Sequence, residues 1–327
     1  MNLADTNTKT VEDYLRQAKQ AEREKQWHVL LKAYNQLLDI DPKHLEARQA
    51  VGNYYFDRKK YDAALDAYIS AVKIDPTIAF LHFRLGQIAE LQDRIDDAAA
   101  SYGYAIHLDS EDFRFYQALG ELQFHQKQLT WAKDTYTKAI ELGSKAPVVR
   151  FRLGQIAQQQ NQHDKAVECF KSAIALNDRN PIFHIACGDS YLKQKRLSFA
   201  DAAYERAIFI NSGDFRPYQR LGEAKFLRND LSAAKRSYEK AIELGSQAPW
   251  VRFKLGQIAQ RQKNIEDAVS WYEKAIALNN ENPQFHYHLG NARAQQSDLE
   301  QARASYERAL SLNPNHENAR KSLQALA

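Results

Sequence analysis

LEARQAVGNYYFDRKKYDAALDAYISAVKIDPTI, residues Leu45 to Ile78, carries the pattern that decides the fold. Apolar and small residues recur at helical spacing through Val51, Gly52 and Tyr55, then again through Tyr61, Ala64, Leu65, Tyr68 and Ala71. The polar stretch Asp57 to Lys60 separates the two amphipathic segments. Asp75-Pro76 ends the second, because proline cannot continue a helix and restricts the residue before it. The stretch predicts a helix–turn–helix hairpin. Outward from it the pattern returns with a period of about 34 residues. Gly52, Gly86, Gly120, Gly154, Gly188, Gly222, Gly256 and Gly290 mark one position. Ala64, Ala98, Ala132, Ala166, Ala200, Ala234, Ala268 and Ala302 mark a second, and Ala71, Ala105, Ala139, Ala173, Ala207, Ala241, Ala275 and Ala309 a third. One small unit stacked many times makes an extended surface rather than a closed pocket.

Glycine inside a helix costs about 1 kcal/mol relative to alanine, so its recurrence needs a compensating contact. Close approach of two helix backbones is the expected one. The aromatic at Tyr68, matched by Tyr34, Tyr102, Tyr136, Phe170, Tyr204, Tyr238, Tyr272 and Tyr306, is expected to fill space against the adjoining unit.

Composition narrows the function classes. The chain has 45 Lys and Arg against 41 Asp and Glu, a formal net charge of +4. That balance lacks the concentrated positive field of a nucleic-acid binder, so no nucleic-acid partner is expected. The start, MNLADTNTKT, has no basic segment followed by an apolar one, and apolar runs stay short, so neither a leader nor membrane insertion is expected. Two cysteines, Cys169 and Cys187, fall at apolar helix positions and read as free buried thiols of a cytoplasmic protein.

The units resemble the tetratricopeptide repeat. Its leucine-glycine pair, following alanine, and two alanines flanking an aromatic appear as Leu85-Gly86, Ala89, Ala98, Tyr102 and Ala105. The closing proline stands at Pro42, Pro76 and Pro314, while Ser110, Ser144, Asp178, Ser212, Ser246 and Asn280 replace it between. Pro147, Pro181, Pro249 and Pro283 instead open the next helix, a favoured first-turn position. The resemblance implies an all-α fold of bacterial type, a right-handed α-solenoid superhelix of about nine units. Their expected starts are residues 11, 45, 79, 113, 147, 181, 215, 249 and 283, giving an N-terminal tail over 1–10 and an array over 11–316. ENARKSLQALA, residues 317–327, then reads as a C-terminal capping helix with Ala319, Leu323 and Leu326 on one face. The first unit departs, with Ala18 for glycine, Leu30 for alanine and a polar first helix that suits a terminal repeat. The array is therefore expected to be complete at both ends.

A longer rhythm runs through the short one. FRFYQALGELQF at Phe113 returns as FRPYQRLGEAKF at Phe215, and PVVRFRLGQIAQQQ at Pro147 returns as PWVRFKLGQIAQRQ at Pro249. His82, His184 and His286 mark the third class. Duplication of a three-repeat block and a ligand contacted in the same rhythm both produce this.

In the family, the second, fifth, ninth and twelfth residues of each first helix line the concave face, and helical spacing places them on one stripe. The candidate peptide-binding residues follow. They are Phe83; Arg114, Gln117, Glu121 and Phe124; Phe151, Gln155 and Gln158; Arg216, Gln219, Glu223 and Phe226; Trp250, Phe253 and Gln257; and Tyr287 and Asn291. Aromatics supply anchoring area, and amides bond the backbone of an extended peptide. Arg84, Arg152, Arg220 and Lys254 beside them bias the stripe toward acidic ligands. The plainer alternatives stay open: Phe151 and Phe253 packing between neighbouring first helices, and the arginines forming a solvated face. The family's dicarboxylate clamp for chaperone tails is present only in fragments, Asn53, Arg84 and Arg114, with Gln49 and Ala118 where basic residues belong.

No zinc-protease helix, phosphate loop or dinucleotide fingerprint occurs. His286 and His288 are two apart on a predicted helix and point to different faces, so no metal or cofactor is expected. The function expected is a non-catalytic protein–protein interaction scaffold holding an extended peptide of a partner protein, with self-association open. The alternative is a substrate-recruiting module of a bacterial glycosyl-, sulfo- or methyltransferase, with catalysis elsewhere.

Overall fold

Two short amphipathic segments and a tight turn, repeated, leave the chain one way to hide its apolar faces: helix on helix, pair on pair. The computed structural model describes residues 10–326 and divides into two compact units, Met1–Leu153 and Gly154–Ala327. The first unit holds α1 (Val11–Arg23), α2 (Trp27–Ile40), α3 (Leu45–Asp57), α4 (Tyr61–Ile74), α5 (Ala79–Leu91), α6 (Ile95–Leu108), α7 (Phe113–His125) and α8 (Leu129–Glu141). The division falls inside α9 (Pro147–Gln159). The second holds α10 (His163–Leu176), α11 (Pro181–Lys193), α12 (Leu197–Ile210), α13 (Phe215–Leu227), α14 (Leu231–Glu243), α15 (Pro249–Arg261), α16 (Ile265–Leu278), α17 (Pro283–Gln295), α18 (Leu299–Leu312) and α19 (Glu317–Gln324). The fold is an all-α repeat array. In each unit the two helices of a hairpin pack on one another, and the second helix packs on the next first helix. Of the tail over 1–10, all but Thr10 lies outside the described residues, as does Ala327. Among the described residues no helix is long and apolar enough to cross a membrane.

Every first helix from α1 to α17 ends in the same left-handed turn, made without glycine. Lys25, Lys59, Asp93, Lys127, Asn161, Lys195, Asn229, Lys263 and Ser297 all have φ between 57° and 67°. At the quoted hairpin Lys59 N donates to the Phe56 carbonyl and Lys60 N to the Tyr55 carbonyl, which satisfies the last carbonyls of the helix. Glycine appears in this role only at second helices. α8 and α14 have 13 residues rather than the 14 of the other second helices, and Gly143 and Gly245, at φ 93° and 95°, close them. That is the physical content of AIELGS, which stands at 139–144 and again at 241–246.

The core explains the periodic glycine differently from the sequence expectation. A Cβ on Gly52 would lie 2.6 Å from the Tyr68 ring, and one on Gly188 would lie 2.5 Å from the Tyr204 ring. The nearest approach is ring against backbone within a single hairpin, and at Gly86 the Ala98 carbonyl oxygen of the paired helix follows at 3.3 Å. Tyr68 also reaches the adjoining unit, sharing a buried cluster with Leu81 and Ile88. Ala64 and Ala71 are fully buried on either side of it.

In seven first helices the fourth residue ties its hairpin to the preceding loop. Arg48 donates to the Pro42 carbonyl, His82 Nε2 to Pro76 at 2.8 Å, and Tyr116 to Ser110. Arg150 donates to Ser144, His184 Nε2 to Asp178 at 3.0 Å, Arg252 to Ser246 and His286 Nε2 to Asn280 at 2.9 Å. The three periodic histidines are thus loop fasteners. Both cysteines are unpaired; Cys187 is buried, and burial pushes its thiol up to about 11.

Candidate functional site

A tyrosine buried against glycine carries its hydroxyl inward, and a buried hydroxyl needs a partner. The first-helix stripe supplies it. Tyr68 donates to Asn53 at 2.6 Å, Tyr136 to Glu121 at 2.7 Å, Tyr204 to Asp189 at 2.8 Å and Tyr306 to Asn291 at 2.9 Å. These acceptors stand at the ninth helix position. In two hairpins the twelfth position serves instead: Tyr102 donates to Glu90 at 2.7 Å and Tyr272 to Gln260 at 3.0 Å. Burial raises the pKa of all these phenols, as it does for Tyr34, which stands at about 12.

In the first unit, Phe83 is buried, its ring 5.1 Å from that of Phe115 on the next first helix and 5.9 Å from that of Tyr102. Arg114 folds back onto Asp112, the residue that caps α7. That contact holds the Asp112 carboxyl below the ordinary range. Gln117 is half-buried. Glu121 accepts from Tyr136 and also pairs with Arg152 at 3.0 Å. Arg152 in turn lies 4.6 Å above the Phe124 ring. Phe151 is buried.

In the second unit, Gln155 is half-buried, and Gln158 donates to the Ala186 carbonyl and Ser190 Oγ on α11. Arg216 folds onto Asp214 as Arg114 does onto Asp112, and Gln219 donates to Ser246 Oγ. Arg220 lies 3.2 Å from Asp189 and 3.4 Å from Glu223. Burial raises the Asp189 pKa and Arg220 opposes the rise. Phe226 is buried beneath Lys254 and Arg261. Trp250 meets Tyr238 edge-on, while Gln257 is half-buried with an unpartnered Oε1. The Phe253 ring lies tilted against that of Phe285 on the next first helix, centroids 4.9 Å apart, and edge-on to His288 at 5.1 Å. Tyr287 lies against His288, Tyr306 and His316. His288 is held neutral: burial, then His316 and Lys254, lower its pKa to about 4.

Two hollows open along the stripe. One, of 510 Å³, joins Gln158 and Glu223 of the expected set to Asp189, Leu192, Arg220 and Leu227. The other, of 250 Å³, is walled by Trp27, Tyr34, Asn53, Tyr54, Arg58 and Arg84. Trp27, which opens α2, and Arg58, which follows α3, lie outside the four-position stripe, and helical spacing in the sequence does not single them out.

Comparison with known proteins agrees with this geometry. Models described as TPR repeat or tetratricopeptide repeat match residues 52–93, 154–195 and 261–297, then 283–316, 83–147 and 215–245, together more than half of the chain. A search of curated proteins found no match. Among solved structures, the C-terminal part of a TPR repeat-containing protein from Cytophaga hutchinsonii is 15% identical with a TM-score of 0.63, over 74% of this chain and 99% of that one. YrrB, described as a TPR protein with an unusual peptide-binding site, is 18% identical with a TM-score of 0.51, over 58% of this chain and 97% of that one. The Cut9–Hcn1 hetero-tetramer of the APC/C matches over 97% of this chain and 62% of that one, with a TM-score of 0.51 and 15% identity. At these identities the likeness is one of fold.

Proposed function

This chain belongs to the tetratricopeptide-repeat family, and we propose that it is a non-catalytic protein-interaction scaffold holding an extended partner segment along its first-helix stripe. One observation carries the reading: the stripe is not used up internally on α15. Gln257 Oε1 is buried without a donor, beside the half-buried rings of Trp250 and Phe253. A peptide N–H laid across this helix fills the vacancy of that acceptor, and flanking aromatic surface gives the segment area to bury. The stripe's carboxylates are engaged by tyrosines and arginines, which suits binding better than proton transfer.

Photo-crosslinking tests this directly. A benzoyl-phenylalanine replacing Tyr287 on α17 should trap a partner from the native host, whereas one replacing the exposed Trp131 on α8 should not. Trapping only through position 131 would move the working surface to the second helices. Retained melting behaviour of both variants is the control.

A further inference from the structure

The structure sorts the stripe's cations by what they hold. Arg152 is paired with Glu121, and Arg220 with Asp189 and Glu223. Lys254 is different. Its ammonium lies 4.3 Å from the centre of the Phe226 ring, and Arg261, two turns further along α15, lies 4.5 Å from the same ring. Neither forms an ion pair among the described residues. One buried aromatic ring thus attracts both cations. Burial disfavours the charge on Lys254; Glu223 opposes this, and Arg261 adds to the penalty more weakly than Glu223 relieves it.

Two further departures fall at this place. By register Glu223 should accept from Tyr238 as Glu121 does from Tyr136, yet it is drawn to Arg220. Tyr238 is left fully buried with its hydroxyl unpaired, in the same cluster as Phe226 and Trp250. Gln257, between Lys254 and Arg261 on one face of α15, has the unpartnered oxygen described above. Glu223 therefore acts on Lys254 only at a distance, and its one close cation is Arg220.

We infer that Lys254 and Arg261 anchor an acidic side chain of the partner's extended segment, the carboxylate replacing the counter-charge that Glu223 gives to Arg220. A carboxylate between an ammonium and a guanidinium gains charge-assisted hydrogen bonds, stronger than neutral ones. The ring below fixes where it sits. This rests on the peptide-binding reading and adds the charge of the ligand and its point of attachment.

Selection of displayed random peptides on the full chain, followed by anisotropy titration of the selected peptides, tests it. The comparison chain carries Lys254→Met and Arg261→Met, whose stems still cover Phe226; Lys254→Gln alone serves if that pair melts early. Peptides taken by the wild type should be enriched in Asp and Glu, and should bind the variant about tenfold more weakly or worse. Selected peptides without acidic enrichment, or with equal affinity for a folded variant, overturn the anchor and leave the groove standing. If neither chain selects peptides, the groove reading fails and the anchor with it.

Discussion

A methyl group added at Gly188 meets the ring of Tyr204, which is fully buried and tied at its hydroxyl to Asp189, so the ring has nowhere to go. Overpacking of this kind costs about 1–3 kcal/mol and outweighs the helix-propensity gain of about 1 kcal/mol. Gly188→Ala should therefore lower the melting midpoint. Gly103→Ala, on α6 with nothing within 4 Å of the new Cβ, should raise it. Equal effects of the two on thermal melting would sink the ring-against-glycine account. The glycine register was plain in the sequence, but its cause was not: spacing locates a small residue without saying whether a helix or a ring demands it. His288 gives a second residue-scale prediction. It lies among Phe253, Tyr272 and Tyr287, with Lys254 and His316 the charged and titratable neighbours. Its pKa falls from 6.5 to about 4, so the unfolded chain takes up a proton that the folded chain refuses. The stabilising difference is whole above pH 6.5 and is lost as pH falls toward 4, by about 3 kcal/mol. His288→Phe should flatten that part of the melting-versus-pH curve, and an unchanged curve would place the titration elsewhere.

At the scale of the element, each hairpin is closed by one left-handed residue, and the side chains there bear that conformation unequally. Lysine at Lys195 carries a Cβ penalty of about 1–2 kcal/mol, while asparagine visits the region more readily. Lys195→Gly should raise the melting midpoint by the equivalent of about 1 kcal/mol, and Asn161→Gly by less. A loss in both would mean that the side chains, not the backbone, hold the turn. The hairpins themselves were legible because two helical periods and a polar break repeat without interruption. The turn conformation was not, since lysine, aspartate, asparagine and serine share one slot. The stripe was legible as a set of positions and only in part as a set of roles. A ninth-position carboxylate reads the same whether it faces solvent or receives a phenol, as Glu121 does. Arg114 and Arg216 read as peptide contacts because nothing in their spacing shows a fold back onto the capping aspartates. The loop fasteners were written at one register as Arg, His and Tyr, three side chains alike only in reaching a carbonyl with a donor.

At the scale of the molecule, what matters is how far a local change travels. Within the second unit each hairpin packs on its immediate neighbours, and the contacts that join helices stay inside that range. Stability in such an array is a sum of hairpin terms and nearest-neighbour terms, so damage should fade with distance along the chain instead of melting the unit as one block. Gly256→Ala places a Cβ 2.5 Å from the Tyr272 ring and strains α15 against α16. Tyr272 also touches His288 on α17, and Trp250 at the start of α15 touches Tyr238 on α14, so the strain has a path to one helix on each side. Amide hydrogen exchange should quicken first in α15 and α16, then in α14 and α17, with α11 and α12 keeping their wild-type protection. If exchange quickened evenly from α10 to α18, the second unit would be a single cooperative block. The anchor at Lys254 could not then be weakened without loosening Asp189 and Arg220 as well. Confined quickening would mean that the first-helix stripe can be altered one hairpin at a time. That is the condition under which a shared repeat fold can carry a ligand preference of its own at α15.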